Sequence, residues 1–391
     1  MAEFDTPRAL LKKKLKNKIK LAEQSCTPLR KKKKDKAKLN TPEKTSVSPY
    51  LRHVHNKQSY TPVKKRTNNK AGSSTPIQIP ASPFLEQIGY GTGVGIYKFE
   101  RSSKADSQVL TPWAVKKLLN GRSETIIDER LHFEAEILRQ LDHPNVIGFR
   151  AFIKGVDGKP CLAMEALDTS LGDKIEERRE ESFGKKPFSP ESIMRVGFET
   201  IKGVEYLHHN VHILHGDIKS WNILVTHDLN TIKLGDFGNS LPLTKSLKLD
   251  TSKGDFSYVG TRPWNPPEII FENGPVTGAA DIWSYGLVLW EMLTLSSPHC
   301  KDLSDEFSSD ESSNDESSSD KSEASMNKSE TFRKREKYSE FGTRPAVSNI
   351  DLGKDYERVL EIFFACTTNC YLLRPRAKAL VNYYKKYINI N

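Results

Sequence analysis

Residues 215–222 read HGDIKSWN and lie between two apolar runs, VHIL before and ILV after. Within six residues the chain sets a carboxylate (Asp217), an ammonium (Lys219) and an amide (Asn222). Buried polar and charged groups are costly unless they are paired. The spacing sets the three polar groups close together between the two apolar runs. Taken singly they are ordinary: Asp217 suits a turn, and Asn222 suits a loop amide with its own partners.

The loop is the fourth of six such features in order. First, GYGTGVG (89–95) sits between two strand-like runs inside 84–100, where glycines let backbone N–H groups approach anionic oxygens. Second, AVK (114–116) ends an apolar strand with Lys116. Third, DERLHFEAEILRQL (128–141) repeats Leu131, Ala135, Leu138 and Leu141 near helical spacing and carries Glu134, an anion able to hold that lysine. After the loop, GDFG (235–238) places Asp236 behind another apolar strand, and PPE (266–268) closes the series. Two more strands, NVIGFRAFI and PCLAMEAL, complete a small sheet. The second half reads as mainly helical, at 189–209, 278–295, 355–368 and 375–387, with two short strands around 221–234. Ser189 and Pro190 open the first of these helices as N-cap and first-turn residue.

The order of these six pieces resembles the signature set of eukaryotic protein kinases, over roughly residues 84–387. GYGTGV, PWAVKK, HPNVIGFRAF, CLAME, LHGDIKS and GTRPW are similar to the branch related to the MAP kinase kinases and active in mitosis. The resemblance implies an α+β, bilobal protein kinase fold with a small β-rich N-lobe and a larger helical C-lobe. It also implies a Ser/Thr protein kinase, with dual specificity left open, that uses ATP and Mg2+ to move a γ-phosphate to protein hydroxyls. Lys116 would bind the α- and β-phosphates, held by Glu134, while Asp236 and Asn222 would hold magnesium. Asp217 would accept the substrate hydroxyl proton, and Lys219, at a spacing that resembles Ser/Thr-directed relatives, would reach the γ-phosphate. Gly89, Gly91, Gly93 and Val94 would cover the phosphates. Ile88, Ile96, Ala114 and Leu224 would wall the adenine, with Met164 as gatekeeper and the backbones of Glu165 and Leu167 bonding its edge. Glu268 and Arg374 resemble a buried structural ion pair, and Asp281 the residue that braces the catalytic loop.

Two positions depart from the family pattern. Val94 stands where a third glycine is usual, and Gly216 replaces the Arg that commonly precedes the catalytic Asp. That Arg normally binds a phosphate on the activation segment. Without it, activation is expected to depend less on phosphorylation of Ser246, Thr251, Ser252 or Ser257.

Charge divides the rest. Hydrophobic residues are only 36% of the chain, so part of it is expected to stay unpacked. Residues 1–80 hold 21 Lys/Arg against 5 Asp/Glu, which with few aromatics predicts a disordered basic tail over 1–83. Residues 301–330 hold 3 Lys against 10 Asp/Glu, so 301–340 reads as an acidic, Ser-rich insert loop within the C-lobe. In the tail, Thr27, Thr41 and Thr61 precede Pro with Arg or Lys three residues on, and Thr6 precedes Pro7 without that cation. These sites resemble those of a cyclin-dependent kinase as upstream regulator. RKKKKDKAK (30–38) is compatible with nuclear import or a weak nucleic-acid contact, and equally with a solvated arm. Five scattered cysteines, with Cys366 and Cys370 lacking a partner pair, argue for reduced thiols rather than zinc. No apolar run is long enough to span a bilayer, so no membrane role is expected. The C-terminal YININ lacks the apolar last residue of a PDZ ligand. The expected location is nucleus and cytoplasm. MAP kinase or histone-tail substrates enter only through the resemblance. A pseudokinase scaffold, or a chromatin- or nucleic-acid-binding protein acting through the tail, are the competing readings.

Overall fold

The computed structural model describes residues 79, 85–91, 94–102, 109–118, 124–299, 340–347 and 352–387. Thr6, Thr27, Thr41, Thr61, Gly93, the basic tail apart from Ile79, and the insert up to residue 339 lie outside the described residues.

Five antiparallel strands form the first layer: β1 (Glu86–Gly91), β2 (Val94–Ser102), β3 (Val109–Leu118), β4 (Phe149–Lys154) and β5 (Pro160–Glu165), in the order β1-β2-β3-β5-β4. Helix α1 (Glu124–Gln140) connects β3 to β4 and starts one turn ahead of the sequence pattern. Pro112 is tolerated inside β3 because β5 pairs only with Trp113–Lys117, which leaves the Pro112 side of the strand open. Cys161, Leu162, Ala163 and Met164 on β5 are all buried, so both faces of the sheet are covered. One face packs on α1. The other holds Ile79, which is fully buried with Trp113, Val115, Cys161 and Ala163. The sequence reading assigned Ile79 to the tail.

The second layer begins with β6 (Thr169–Ser170) and α2 (Leu171–Ser182), a largely charged helix with no clear apolar period in its sequence. A capping box fixes its start: Ser170 and Asp173 satisfy each other's backbone N–H groups. Helix α3 (Pro190–Tyr206) has the expected cap, Ser189 accepting from Ser192 N–H, and then widens into a π turn at Leu207–Val211. Ile193, Val196, Ile201, Val204 and Leu207 are buried as its spacing predicts, with Met194 partly covered. Short strands β7 (Ile213–Leu214), β8 (Ile223–Val225), β9 (Ile232–Leu234) and β10 (Leu241–Pro242) lie around the loop at 215–222. Helices α4 (Pro267–Ile270), α5 (Ala279–Thr294), α6 (Glu357–Cys366) and α7 (Ala377–Tyr387) follow. Every residue from Ala280 to Leu293 is buried, which makes α5 the central post of the larger lobe.

The chain rejoins the fold at Glu340 after the insert. Phe341 is buried against the His299 ring (centroids 5.9 Å apart), and Arg344 donates to Thr367 O at 2.8 Å. Trp290 Nε1 on α5 donates to Ala346 O at 2.9 Å.

Candidate active site

β3 presents alternate residues to opposite sides, so Ala114 and Lys116 face α1 and the cleft while Trp113 and Val115 face Ile79. Lys116 Nζ reaches both oxygens of Glu134 on α1, at 2.7 and 3.0 Å, and Asp236 Oδ1 at 3.1 Å. Burial works against the lysine's charge, but Asp236 and Glu134 outweigh it and hold the Lys116 pKa above the usual lysine value. Burial likewise opposes the charge on Asp236, and Lys116 overcomes it, holding that carboxyl at about 2. The Asp236 side chain is 45% exposed toward the cleft. Asp236 also sits at φ 61°, a left-handed backbone uncommon outside glycine, and Phe237 beside it is fully buried.

Asp217 accepts from four side chains. Thr261 Oγ1 donates to Oδ1 at 2.6 Å. Lys219 Nζ, Asn239 Nδ2 and Asn222 Nδ2 donate to Oδ2 at 3.0, 3.2 and 3.3 Å. Lys219 Nζ also donates to Thr261 Oγ1 at 2.9 Å, closing a triangle of carboxylate, ammonium and hydroxyl. Asn222 spends its amide hydrogens on Asp217, including its backbone O at 2.8 Å, which leaves Oδ1 to offer lone pairs to a cation.

The loops of Asp217 and Asp236 are stitched together. Gly235 N–H donates to Asn222 O at 2.9 Å, and the His215 ring meets Gly235 O at 3.0 Å. Beneath them, the fully buried Asp281 on α5 accepts from His215 N–H (2.8 Å), Gly216 N–H (2.9 Å) and His208 Nε2 (2.8 Å). Burial raises the cost of its charge, but His208 and these donors keep its pKa below the usual aspartate value. The two carboxylates that a phosphate-handling site requires are thus held on one scaffold, Asp236 paired with Lys116 and Asp217 with Lys219.

The apolar wall is less uniform. Ala114 and Met164 are register partners across β3 and β5 and both are buried. Ile96, Leu167 and Leu224 pack partly buried against the same core. Ile88 on β1 is 47% exposed. Glu165 N–H donates to Gly148 O at 2.8 Å, so at that residue the carbonyl is what remains for a ligand. Gly91 and Val94 pair at the tip of the β1–β2 hairpin, and a Cβ on Gly95 would lie 2.6 Å from the Tyr97 hydroxyl.

The sequence profile of the protein kinase domain matches residues 83–380. The chain belongs to the protein kinase family. It is 41% identical over 300 residues to the lymphokine-activated killer T-cell-originated protein kinase of Homo sapiens, covering 76% of this chain and 87% of that one. It is also similar to the mitogen-activated protein kinase kinase kinase 13-B of Xenopus laevis (37% over 175 residues, 44% of this chain and 16% of that one). The mitogen-activated protein kinase kinase kinase zak-1 of Caenorhabditis elegans is 34% identical over 196 residues, 48% of this chain and 25% of that one. The kinase therefore spans a quarter or less of the length of the last two.

The bidentate pair of Arg374 with Glu268 (both contacts 2.7 Å) lies where the family pattern anticipates it, buried and stacked on Trp283. The sequence reading did not single out Thr261, Asn239, His208 or Glu291. Glu291 on α5 is buried, with Ser220 and Trp264 donating to its two oxygens at 2.7 and 2.9 Å, and so ties the catalytic loop to the segment after Thr261. GTRPW carried a signal for Thr261, since a hydroxyl five residues before the closing PPE returns to Asp217.

Gly216 sits at φ 77°, and a Cβ there would lie 2.5 Å from Asn239 O. The segment between Asp236 and Glu268 is held by its own chain instead. Leu249 N–H donates to Val276 O, Gly278 N–H to Leu247 O and Leu243 N–H to His212 O, at 2.8–3.0 Å. Leu247 and Phe256 are buried with Leu214, Leu241 and Leu243. Among the described residues no cluster of three or more His, Cys, Asp or Glu is present, and no helix is long and apolar enough to cross a membrane.

Proposed function

We propose that this protein kinase is Ser/Thr-directed, transferring the γ-phosphate of ATP to protein hydroxyls, with substrates in the MAP kinase pathway. The observation that carries the reading is the triangle of Asp217, Lys219 and Thr261. Thr261 already places an aliphatic hydroxyl against Asp217 Oδ1, the interaction that an incoming Ser or Thr would make.

The donor set fits Mg2+-ATP. Asp236 offers a cleft-facing carboxylate held near pKa 2, and Asn222 offers an amide oxygen, both hard oxygen ligands. When bound, the metal neutralises phosphate charge. Lys116, held in position by Glu134, would orient the α- and β-phosphates, and Lys219 would draw the γ-phosphate toward the acceptor. The acceptor oxygen forms its bond to the γ-phosphorus as the bond to the leaving ADP oxygen breaks. Asp217 takes the hydroxyl proton.

The relationship to mitogen-activated protein kinase kinase kinases supports substrates in that pathway. The tail's Thr-Pro sites at Thr6, Thr27, Thr41 and Thr61, with the basic run at 30–38, support regulation by a cyclin-dependent kinase, a mitotic role and a nuclear and cytoplasmic location. The test is transfer from labelled ATP to a degenerate peptide library, with Asp217→Asn in parallel. Wild type labelling Ser/Thr peptides and not Tyr peptides is the expected result; Tyr labelling at equal rate refutes the specificity. Arrest in mitosis should shift the tail sites to their phosphorylated forms by mass spectrometry.

A further inference from the structure

Three of the four side chains from Lys219 to Asn222 serve the acceptor site from within. Lys219 and Asn222 donate to Asp217, and Ser220 donates to the buried Glu291 at 2.7 Å. Trp221 is the fourth, and it turns outward, 41% exposed. Its ring rests on Gly172 in the first turn of α2, where a Cβ would fall 2.5 Å from the indole Cδ2. Glycine weakens a helix, and the close approach of the ring accounts for its use at 172. The start of α2 is itself tied to the cleft, because Ser170 pairs with Leu224 across β6 and β8. The indole is therefore held in place at the rim of the acceptor site, with the rest of its surface open.

The charged groups on the elements that carry the ring already have partners. Asp173 turns Oδ2 back to Thr169 and Ser170, and Glu176 pairs with Arg179. Lys219 bonds to Asp217 and Thr261, and Glu291 is buried beneath Ser220 and Trp264. Val259, on the segment that brings Thr261 to Asp217, adds a second apolar side chain that is 41% exposed.

We propose that Trp221 is a specificity-determining residue that receives a large apolar side chain of the substrate peptide, close to the Ser or Thr whose hydroxyl meets Asp217. The inference deepens the Ser/Thr-directed reading and rests on it. Covering the open part of the indole removes apolar surface from water on both partners, and is worth roughly a 10-fold preference in kcat/KM. A charged side chain brought to the same place loses water and meets groups that are already paired.

The test measures kcat/KM of the full chain on Ser and Thr peptides in which each of the three positions on either side of the acceptor is varied in turn. The expected result is one position at which Phe, Leu or Met exceeds Arg and Asp by about 10-fold. In Trp221→Glu that preference should disappear or turn toward Arg, while Trp221→Phe should keep it within about threefold. Affinity for a non-hydrolysable ATP analogue identifies a variant that has failed to fold, and Trp221→Ser then takes the place of Trp221→Glu. A wild type with no apolar preference at any of these positions overturns the inference. So does a preference for Arg at the position that responds to Trp221, or an apolar preference that Trp221→Glu leaves intact. Labelling of Ser and Thr peptides with any of these outcomes overturns this inference alone; no labelling of any Ser or Thr peptide overturns the Ser/Thr reading and this inference with it.

Discussion

Restoring the family's usual residue at position 216 should damage this kinase. In Gly216→Arg the new side chain meets two obstacles. The backbone is at φ 77°, where an L residue with a Cβ costs about 1–2 kcal/mol. The Cβ also falls 2.5 Å from Asn239 O, a backbone atom that cannot rotate away, and overpacking of that kind costs about 1–3 kcal/mol. Together these predict a loss of ~2–5 kcal/mol, which in a domain this large lowers Tm by ~3–8 °C. Relief by backbone movement has its own consequence. Gly216 N–H is tied to Asp281 and the next residue is Asp217, whose Oδ2 accepts from Asn239, the residue in the way. A shift of about 1 Å at Asp217 is enough to slow transfer about 100-fold. The assay is thermal unfolding beside peptide phosphorylation at saturating ATP, with Gly216→Ala as the variant that adds the Cβ alone. Ala should reproduce most of the loss. Gly216→Arg with wild-type Tm and undiminished transfer would refute the argument, as would Gly216→Ala being silent while Arg is damaging.

The remaining predictions concern the surroundings of that loop. Replacing Ser246, Thr251, Ser252 and Ser257 together by Ala should leave most activity in the peptide assay, because the segment is held by buried Leu247 and Phe256 and by backbone bonds; complete loss would show that a phosphate is needed. Thr261→Val removes the hydroxyl that donates to Asp217 and should lower kcat at least about tenfold with little change in nucleotide affinity by calorimetry. Arg374→Leu leaves Glu268 charged and buried without its partner, and chemical denaturation should report a loss of about 3–5 kcal/mol. Glu291 gives a pH signature. Burial pushes its carboxyl from the usual 4.5 up to about 7, against the pull of the Trp264 and Ser220 donors. Between those values the unfolded chain has lost the proton and the folded one keeps it. The contribution to stability therefore falls as pH rises across that window, by at most about 1.4 kcal/mol per pH unit. Glu291→Gln should gain stability relative to wild type over the same window, and a pH-independent difference in denaturation midpoint would count against the shift.

What the sequence made legible follows from how local each constraint is. Lys116, Asp217, Asn222 and Asp236 stand out because each lies in a short run whose spacing is set by one strand or one loop. The Ser189–Pro190 start of α3 is readable for the same reason, since a cap is a contact across three residues. Glu134 could be paired with Lys116 only because a helix followed the strand, and 18 residues separate them. The missed residues act at longer range. Thr261 meets Asp217 across 44 residues, Glu291 meets Ser220 across 71, and His208 meets Asp281 across 73. In sequence each is an ordinary polar residue, and Glu291 sits in a helix whose apolar run gives no sign that a second carboxyl, besides Asp281, is buried within it. Burial supplies the reason they are there: a carboxyl with no water must gather partners, and those that reach Glu291 and Asp281 come from the catalytic loop, the Thr261 segment and His208 after α3. Helix α5 thus fixes the geometry of Asp217 from below without touching a substrate. Ile79 was invisible for a different cause. Two isoleucines, Ile77 and Ile79, in a polar, Pro-rich stretch are too few to establish a period, and only the packing against Trp113, Val115, Cys161 and Ala163 gives Ile79 a place.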